Sequence, residues 1–343
     1  MSGNTWIEYC DATWNVTTGC TPDYACWQRC WARRMARRFG DKEFKPTCHP
    51  ERLEEPLRWR KPRRVAVSFM GDLFNDAIPD EFIDQVFAVM ALCPQHTFLV
   101  LTKRAERMRE YLSQRYMPGR IADAAILHNI GQLRQNQPWP LSNAWLGVSV
   151  STQVDADERI PPLLATPAAV RFVSVEPMLG PVDLTHVRFD RYTVMNVLEG
   201  VVTTKTSWTQ SIPNAYCEKV SWTIVGGESG PGARPLHPDW VRGLRDQAKA
   251  AGVKFYFKGW GEWVEDTETA ICRVCGCTDL EDCPNGCYWV EDPEGLGDLC
   301  SNCVGKPAPA ERPILYDRVG RKAAGRLLDG REWNEMPEGR PQT

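Results

Sequence analysis

The feature that most limits the folds open to this chain is a series of seven short apolar runs, each ending in polar residues. They cover residues 12–16, 65–69, 97–101, 144–150, 169–175, 221–225 and 253–257. These runs are mostly apolar or β-branched, the pattern of strands covered on both faces and hence of a parallel sheet. Stretches with helical spacing lie between them, clearest over residues 27–39, 80–92, 155–165 and 238–250. Asp80 and Asp155 suit helix starts, and Gly252 suits a stop.

Strand–helix alternation repeated this often predicts an α/β fold, a partial or full parallel (β/α) barrel; a doubly wound open sheet is the other solution. Polar residues that follow barrel strands converge on the C-terminal rim. Two stretches break the alternation. Residues 185–219 read as a hairpin insertion, and residues 266–307 as a second, cysteine-rich one. Three parts are therefore expected: a barrel core over 1–265, a small metal-binding insertion over 266–307, and a C-terminal segment over 308–343, helical across 315–333 and packed on the core.

The N-terminus is polar and no apolar run approaches the ~18 residues of a membrane span. The expected compartment is a reducing cytoplasm, where cysteines act as metal or cluster ligands and not as a disulfide framework. Of the 14 cysteines, ten are clustered. Cys20, Cys26 and Cys30 form C-x5-C-x3-C after the first strand. Cys272, Cys275, Cys277, Cys283, Cys287, Cys300 and Cys303 fall within one short stretch. Cys10, Cys48, Cys93 and Cys217 are scattered and read as small apolar side chains, with Cys10 close enough to the first group to serve it.

Three thiolates do not complete a tetrahedral zinc site. They do hold three irons of a [4Fe–4S] cluster and leave the fourth iron open to a small molecule. A zinc site completed by Cys10 or a histidine is the competing reading. The second group has only seven apolar residues besides cysteine between positions 272 and 303, too few to fold without metal. The pairs Cys272-x2-Cys275 and Cys300-x2-Cys303 have zinc-ribbon spacing. Zinc and an auxiliary iron–sulfur cluster both remain open there.

Several motifs, in order along most of the chain, resemble the phage Gp37/Gp68 proteins, the DUF5131 family. They include Asp11-Ala12-Thr13-Trp14-Asn15, Thr18-Gly19-Cys20, Phe69-Met70-Gly71-Asp72-Leu73-Phe74 and Leu101-Thr102-Lys103-Arg104. Further along come Val173-Ser174-Val175-Glu176-Pro177 and Val225-Gly226-Gly227-Glu228-Ser229-Gly230-Pro231-Gly232. That family looks like a branch of the radical S-adenosylmethionine (SAM) enzymes. The resemblance implies a [4Fe–4S] cluster on Cys20, Cys26 and Cys30, SAM on the open iron, a flavodoxin- or ferredoxin-type reductant, and a 5′-deoxyadenosyl radical that abstracts hydrogen. The spacing departs from the usual C-x3-C-x2-C, and Arg29 stands where an aromatic residue normally precedes the third cysteine.

Within this resemblance Gly71 and Asp72 are candidates for the SAM ammonium, and Ser149 and Glu176 for its ribose. Glu228 and Lys103 are the catalytic candidates, with Glu228 facing adenosine or substrate and Lys103 and Arg104 facing a carboxylate or phosphate. The whole chain is nearly neutral at −3, but residues 29–64 hold 13 Lys and Arg against five acids, with tryptophan among them. Cations interleaved with aromatics suit a polyanion with stackable bases. The expected substrate is thus a nucleobase, nucleotide or DNA, as in phage thymidine-type hypermodification, with no membrane partner. A peptide or small metabolite is the second reading, and a non-enzymatic zinc-stabilised binding protein the third. Residues 272–303 carry −6, which argues against a DNA-gripping finger.

Overall fold

The computed structural model describes residues 5, 7–22, 25–133, 137–204, 212–278, 281–284, 286–292, 295–307, 309 and 311–338; for 25, 26 and 212–214 it describes the backbone alone. Each of the seven apolar runs overlaps a strand: β1 (Ala12–Trp14), β2 (Arg64–Val67), β3 (Thr97–Thr102), β4 (Ala144–Val150), β5 (Val170–Val175), β6 (Trp222–Gly226) and β7 (Lys254–Gly259). Each pairs in parallel with the next, so spatial order follows chain order. This single winding is the topology of a curled half-barrel, not of a doubly wound sheet.

The helices are α1 (Trp31–Arg38), α2 (Asp80–Leu92), α3 (Ala105–Leu112), α4 (Met117–Leu127), α5 (Gln153–Ala165), α6 (Pro238–Ala250) and the short α7 (Arg321–Ala324). Alternate strand residues face opposite ways. One set, including Val65, Phe98, Leu146, Val148, Val173 and Phe255, packs against α2 to α6 in the main core. The other set, Ala66, Leu99, Trp145, Phe172, Trp222, Ile224 and Tyr256, lies on the concave face. Tyr9, just before β1, reaches across to meet Trp222 and Tyr256 edge-on at 5.6 and 5.4 Å. Trp145 and Trp222, separated by β5, touch at 6.2 Å. These contacts bring opposite sides of the sheet together around an aromatic plug.

The expected hairpin insertion is a four-stranded antiparallel sheet over Val187–Arg188, Thr193–Asn196, Val201–Thr204 and Ile212–Tyr216. Trp263–Glu265 pairs antiparallel with Tyr316–Arg318, so the cysteine-rich stretch leaves and returns at one place.

The C-terminal stretch is not the expected long helix. Only α7 is helical, bounded by Gly320 at φ 84° and Gly325 at φ 67°. Such left-handed positions interrupt a helix and are open mainly to glycine. The following backbone instead borders the free edge of β7: Phe257 N–H donates to Trp333 O, and Glu335 N–H donates to Phe255 O. Among the described residues no helix is long and apolar enough to cross a membrane.

Candidate functional site

On the concave face the side chains change from apolar to polar toward the C-terminal ends of the strands. The period-two series are Trp145–Gly147–Ser149 in β4, Phe172–Ser174–Glu176 from β5, Trp222–Ile224–Gly226 in β6 and Tyr256–Lys258 in β7. Gly147 is required sterically, since a Cβ there would stand 2.5 Å from the Phe172 ring.

Glu176 is the hub of the polar layer. Its Oε2 accepts from Ser174 Oγ at 2.9 Å and Tyr9 OH at 3.3 Å, while Oε1 pairs with Lys258 Nζ at 2.7 Å. Burial, and then the Glu176 charge, raise the Tyr9 phenol well above its ordinary pKa, so it remains a donor. Ser149 is buried beside this layer, and its backbone carbonyl accepts from Arg159 Nη1 at 2.7 Å.

The first cysteine group leaves β1 on the same rim. Gly19 has φ 83°, and a Cβ on it would lie 1.9 Å from Lys45 O. Gly71 bridges to Gly19, and its own Cβ would lie 2.9 Å from Gly19 O. Gly71 therefore acts by letting two loops touch backbone to backbone. Cys20 and Cys30 pack with Trp27 and Met70 around buried Ala32, Ala36 and Phe44. Cys26 falls in the turn Ala25–Arg29, with its side chain outside the described residues.

Behind Cys20 lies a buried ion pair. Arg104 Nη1 donates to Asp72 Oδ2 at 3.1 Å, with both side chains almost fully buried. The same nitrogen approaches Cys20 Sγ at 3.8 Å, and Nη2 donates to Thr21 Oγ1 at 2.5 Å. Asp72 also accepts from Thr102 Oγ1, Phe74 N–H and Lys103 N–H. An ionised carboxylate has about four acceptor positions, and four donors of the chain already occupy this one. An ammonium would have to displace one of them. Burial raises the Cys20 thiol, and the Arg104 charge works against that rise. Lys103 is half-buried and lines a surface cleft with Asp76, Glu106 and Glu158.

Glu228 follows β6 and is buried. Its carboxylate takes a two-pronged contact from Arg234, Nε at 2.9 Å and Nη2 at 3.1 Å, with Arg29 Nη1 at 3.7 Å. Burial pushes its pKa up, but the Arg234 bonds and the Arg29 charge leave it below its ordinary value. Arg29 also donates to Gly232 O, and Arg34 to Ser229 O and Pro231 O. These two arginines, from the stretch expected to meet a polyanion, instead clamp the 228–234 loop against the first cysteine group. Arg37, Arg38, Arg60 and Lys61 are exposed.

The second group forms one compact set of thiols. The sulfurs of Cys272, Cys275, Cys277 and Cys300 lie within 4.8 Å of one another, as do those of Cys277, Cys283, Cys287 and Cys300. This arrangement could hold a metal ion. Cys303 is buried in the same core. Among the described residues no cysteine is in a disulfide.

The family described as "Protein of unknown function (DUF5131)" matches residues 4–337, nearly the whole chain. The chain belongs to the DUF5131 family. The matched span runs through both insertions, so the cysteine-rich stretch lies inside the family region of this DUF5131 chain. No curated protein and no solved structure matches it.

Sequence reasoning named Glu176 but missed Tyr9 and Ser174 as its partners. Tyr9 is 167 positions from Glu176, and no local pattern marks it. Ser174 was legible, because it stands two residues before Glu176 in a strand and therefore on the same face.

Proposed function

We propose that this chain is a radical SAM enzyme of the kind implied by the resemblance to the phage Gp37/Gp68 proteins. The observation that carries the reading is the position of Cys20 and Cys30: they leave the first strand of a singly wound parallel half-barrel at its C-terminal rim, beside a polar mouth. Cys20, Cys26 and Cys30 would hold a [4Fe–4S] cluster, and soft thiolate donors suit that group. The donor set of the described residues fits it in kind, two thiols beside a buried guanidinium whose charge opposes the rise that burial imposes on the Cys20 thiol. When bound, the cluster supplies reductive cleavage of SAM and so access to an unactivated C–H bond, with the electron coming from a flavodoxin- or ferredoxin-type reductant.

The remaining roles belong to the chain. Asp72 anchors Arg104, and Arg104 holds the side chains of Cys20 and Thr21. Gly71 allows the loop after β2 to pack against the loop carrying Cys20. Ser149 and Glu176 offer acceptors to ribose hydroxyls at the mouth, with Glu176 held by Lys258 and protonated Tyr9. Glu228 fixes the 228–234 loop through Arg234 and Arg29, and Arg34 of α1 ties the same loop to the helix. Lys103 faces an anionic group of the substrate. A nucleotide or DNA substrate is supported by the exposed cations Arg37, Arg38, Arg60 and Lys61.

The test is anaerobic purification followed by iron and sulfide analysis and an assay for 5′-deoxyadenosine with SAM and dithionite. Brown protein that releases 5′-deoxyadenosine, and loses both properties in Cys30→Ser, supports the reading. Colourless protein that carries zinc alone and leaves SAM intact refutes it, and favours the zinc-stabilised binding protein. Given SAM cleavage, deuterium exchange into DNA, nucleotide or peptide identifies the substrate class. DNA affinity unchanged in the variant lacking Arg37, Arg38, Arg60 and Lys61 would remove the nucleic-acid reading.

A further inference from the structure

The stretch 272–303 has almost no conventional core. Among the described residues, its buried hydrophobic ones are Cys272, Cys277, Leu299, Cys300 and Cys303. Four of these five are thiols, so burial of hydrocarbon contributes little and metal–sulfur bonding must hold the stretch together.

The sulfur spacing says what kind of centre fits. A tetrahedral ion with metal–sulfur bonds of about 2.3 Å has thiolates about 3.8 Å apart. Within the quartets the observed separations are 3.6 Å for Cys275–Cys300, 3.5 Å for Cys277–Cys287 and 3.9 Å for Cys283–Cys300, and Cys275 and Cys283, one from each quartet, approach to 3.7 Å where the two meet. In a [4Fe–4S] cluster each thiolate sits on a different iron, and the inorganic cube holds the sulfurs much further apart. The thiol set matches single-ion tetrahedra and leaves no room for a cube.

The count then decides how many ions share the sulfurs. Two independent all-cysteine tetrahedra need eight thiolates, whereas the stretch has seven cysteines and no histidine. The two sulfur quartets already overlap, with Cys277 and Cys300 common to both. Six thiolates with two in common fill the eight coordination positions of two ions. Sharing also limits charge: two divalent ions with six thiolates carry −2, and two separate four-thiolate sites would carry −4 in a stretch that is already acidic. Backbone N–H groups of Cys283 and Cys300 donate to the sulfurs of Cys287 and Cys272, each at 3.4 Å, and so disperse thiolate charge.

We propose that Cys272, Cys275, Cys277, Cys283, Cys287 and Cys300 form a binuclear centre for two zinc-class ions bridged by the Cys277 and Cys300 thiolates. The centre is a structural clasp that is independent of any cluster on Cys20 and Cys30. Cys303 lies in the same core without belonging to either quartet.

The test uses the full chain, purified with zinc and then exchanged with cadmium-113. Native mass spectrometry should count two ions bound by this stretch, in wild type and in the Cys20→Ser/Cys30→Ser variant alike. Cadmium NMR should give two thiolate-type resonances, with the β-protons of Cys277 and Cys300 coupled to both. Cys283→Ser should retain one ion and Cys277→Ser should lose both; the wild-type NMR result stands even if a variant fails to fold. A single ion, two ions without a shared thiolate, or iron and sulfide retained in the Cys20→Ser/Cys30→Ser variant would each overturn the proposal. The radical SAM reading is tested by the iron on the other cysteines, so the two can fail separately.

Discussion

Replacing Asp72 by asparagine isolates the ion pair that holds the first cysteine loop. Asp72 takes four donors at 2.7–3.1 Å, and its Arg104 partner is as deeply buried as the carboxylate. Asparagine keeps the shape and one acceptor oxygen, but it turns an amide N–H2 toward donors and leaves the buried Arg104 charge only the exposed Asp76 carboxylate at 3.7 Å. Removing one partner of a buried pair costs about 3–5 kcal/mol. An unfolding entropy of about 2.1 cal/mol/K per residue gives about 0.7 kcal/mol/K for a chain of this length, so about 4 kcal/mol lowers Tm by about 6 °C. The double variant Asp72→Asn/Arg104→Met removes the stranded cation and should recover more than half of that loss. Calorimetry on wild type, both single variants and the double variant completes the cycle. A single-variant shift within about 1 °C, or a double-variant loss equal to the sum of the singles, would refute the buried pair as the anchor of this loop.

Other outcomes follow from the same geometry. Glu228 has a depressed pKa in the folded chain, so its stabilisation is complete above its ordinary value of 4.5 and is lost as pH falls through the lower folded value. Glu228→Gln should therefore be less stable than wild type at pH 7 and show a shallower loss of Tm in acid titration; an unchanged profile counts against the Arg234 clasp. Gly147→Ala forces a methyl to 2.5 Å from the Phe172 ring and should cost about 1–3 kcal/mol in urea unfolding, and a neutral result would mean the plug can relax. Chelation of zinc should bring fast amide hydrogen exchange to the 272–303 stretch while β3 to β6 stay protected, because the sheet has its own apolar core. Equal loss of protection in the sheet would tie the two together.

The seven strands were legible because a strand covered on both faces is apolar or β-branched at most positions, a local property. Helices α2, α5 and α6 were legible from their apolar spacing. Helix α3, with sequence AERMREYL, and α4, which opens with Pro118 and Gly119, were not, because their burial comes from the α2 and α5 surfaces they meet. The C-terminal stretch has apolar residues at helical intervals, yet Gly320 and Gly325 in left-handed conformations divert it to the edge of β7.

What the sequence alone determined were quantities that need no partner: the number of strands, their parallel sense, the rim residues that follow them and the sorting of cysteines into two groups. Only the folded chain decided which groups meet. Tyr9 with Glu176 and Arg29 with Glu228 each join residues whose spacing carries no signal, and the overlap of two thiol quartets goes beyond the zinc-ribbon pairs that the spacing marks. The reason is that curling a sheet brings its ends together in space, and that closeness is set by packing across the barrel and not by any neighbour along the chain.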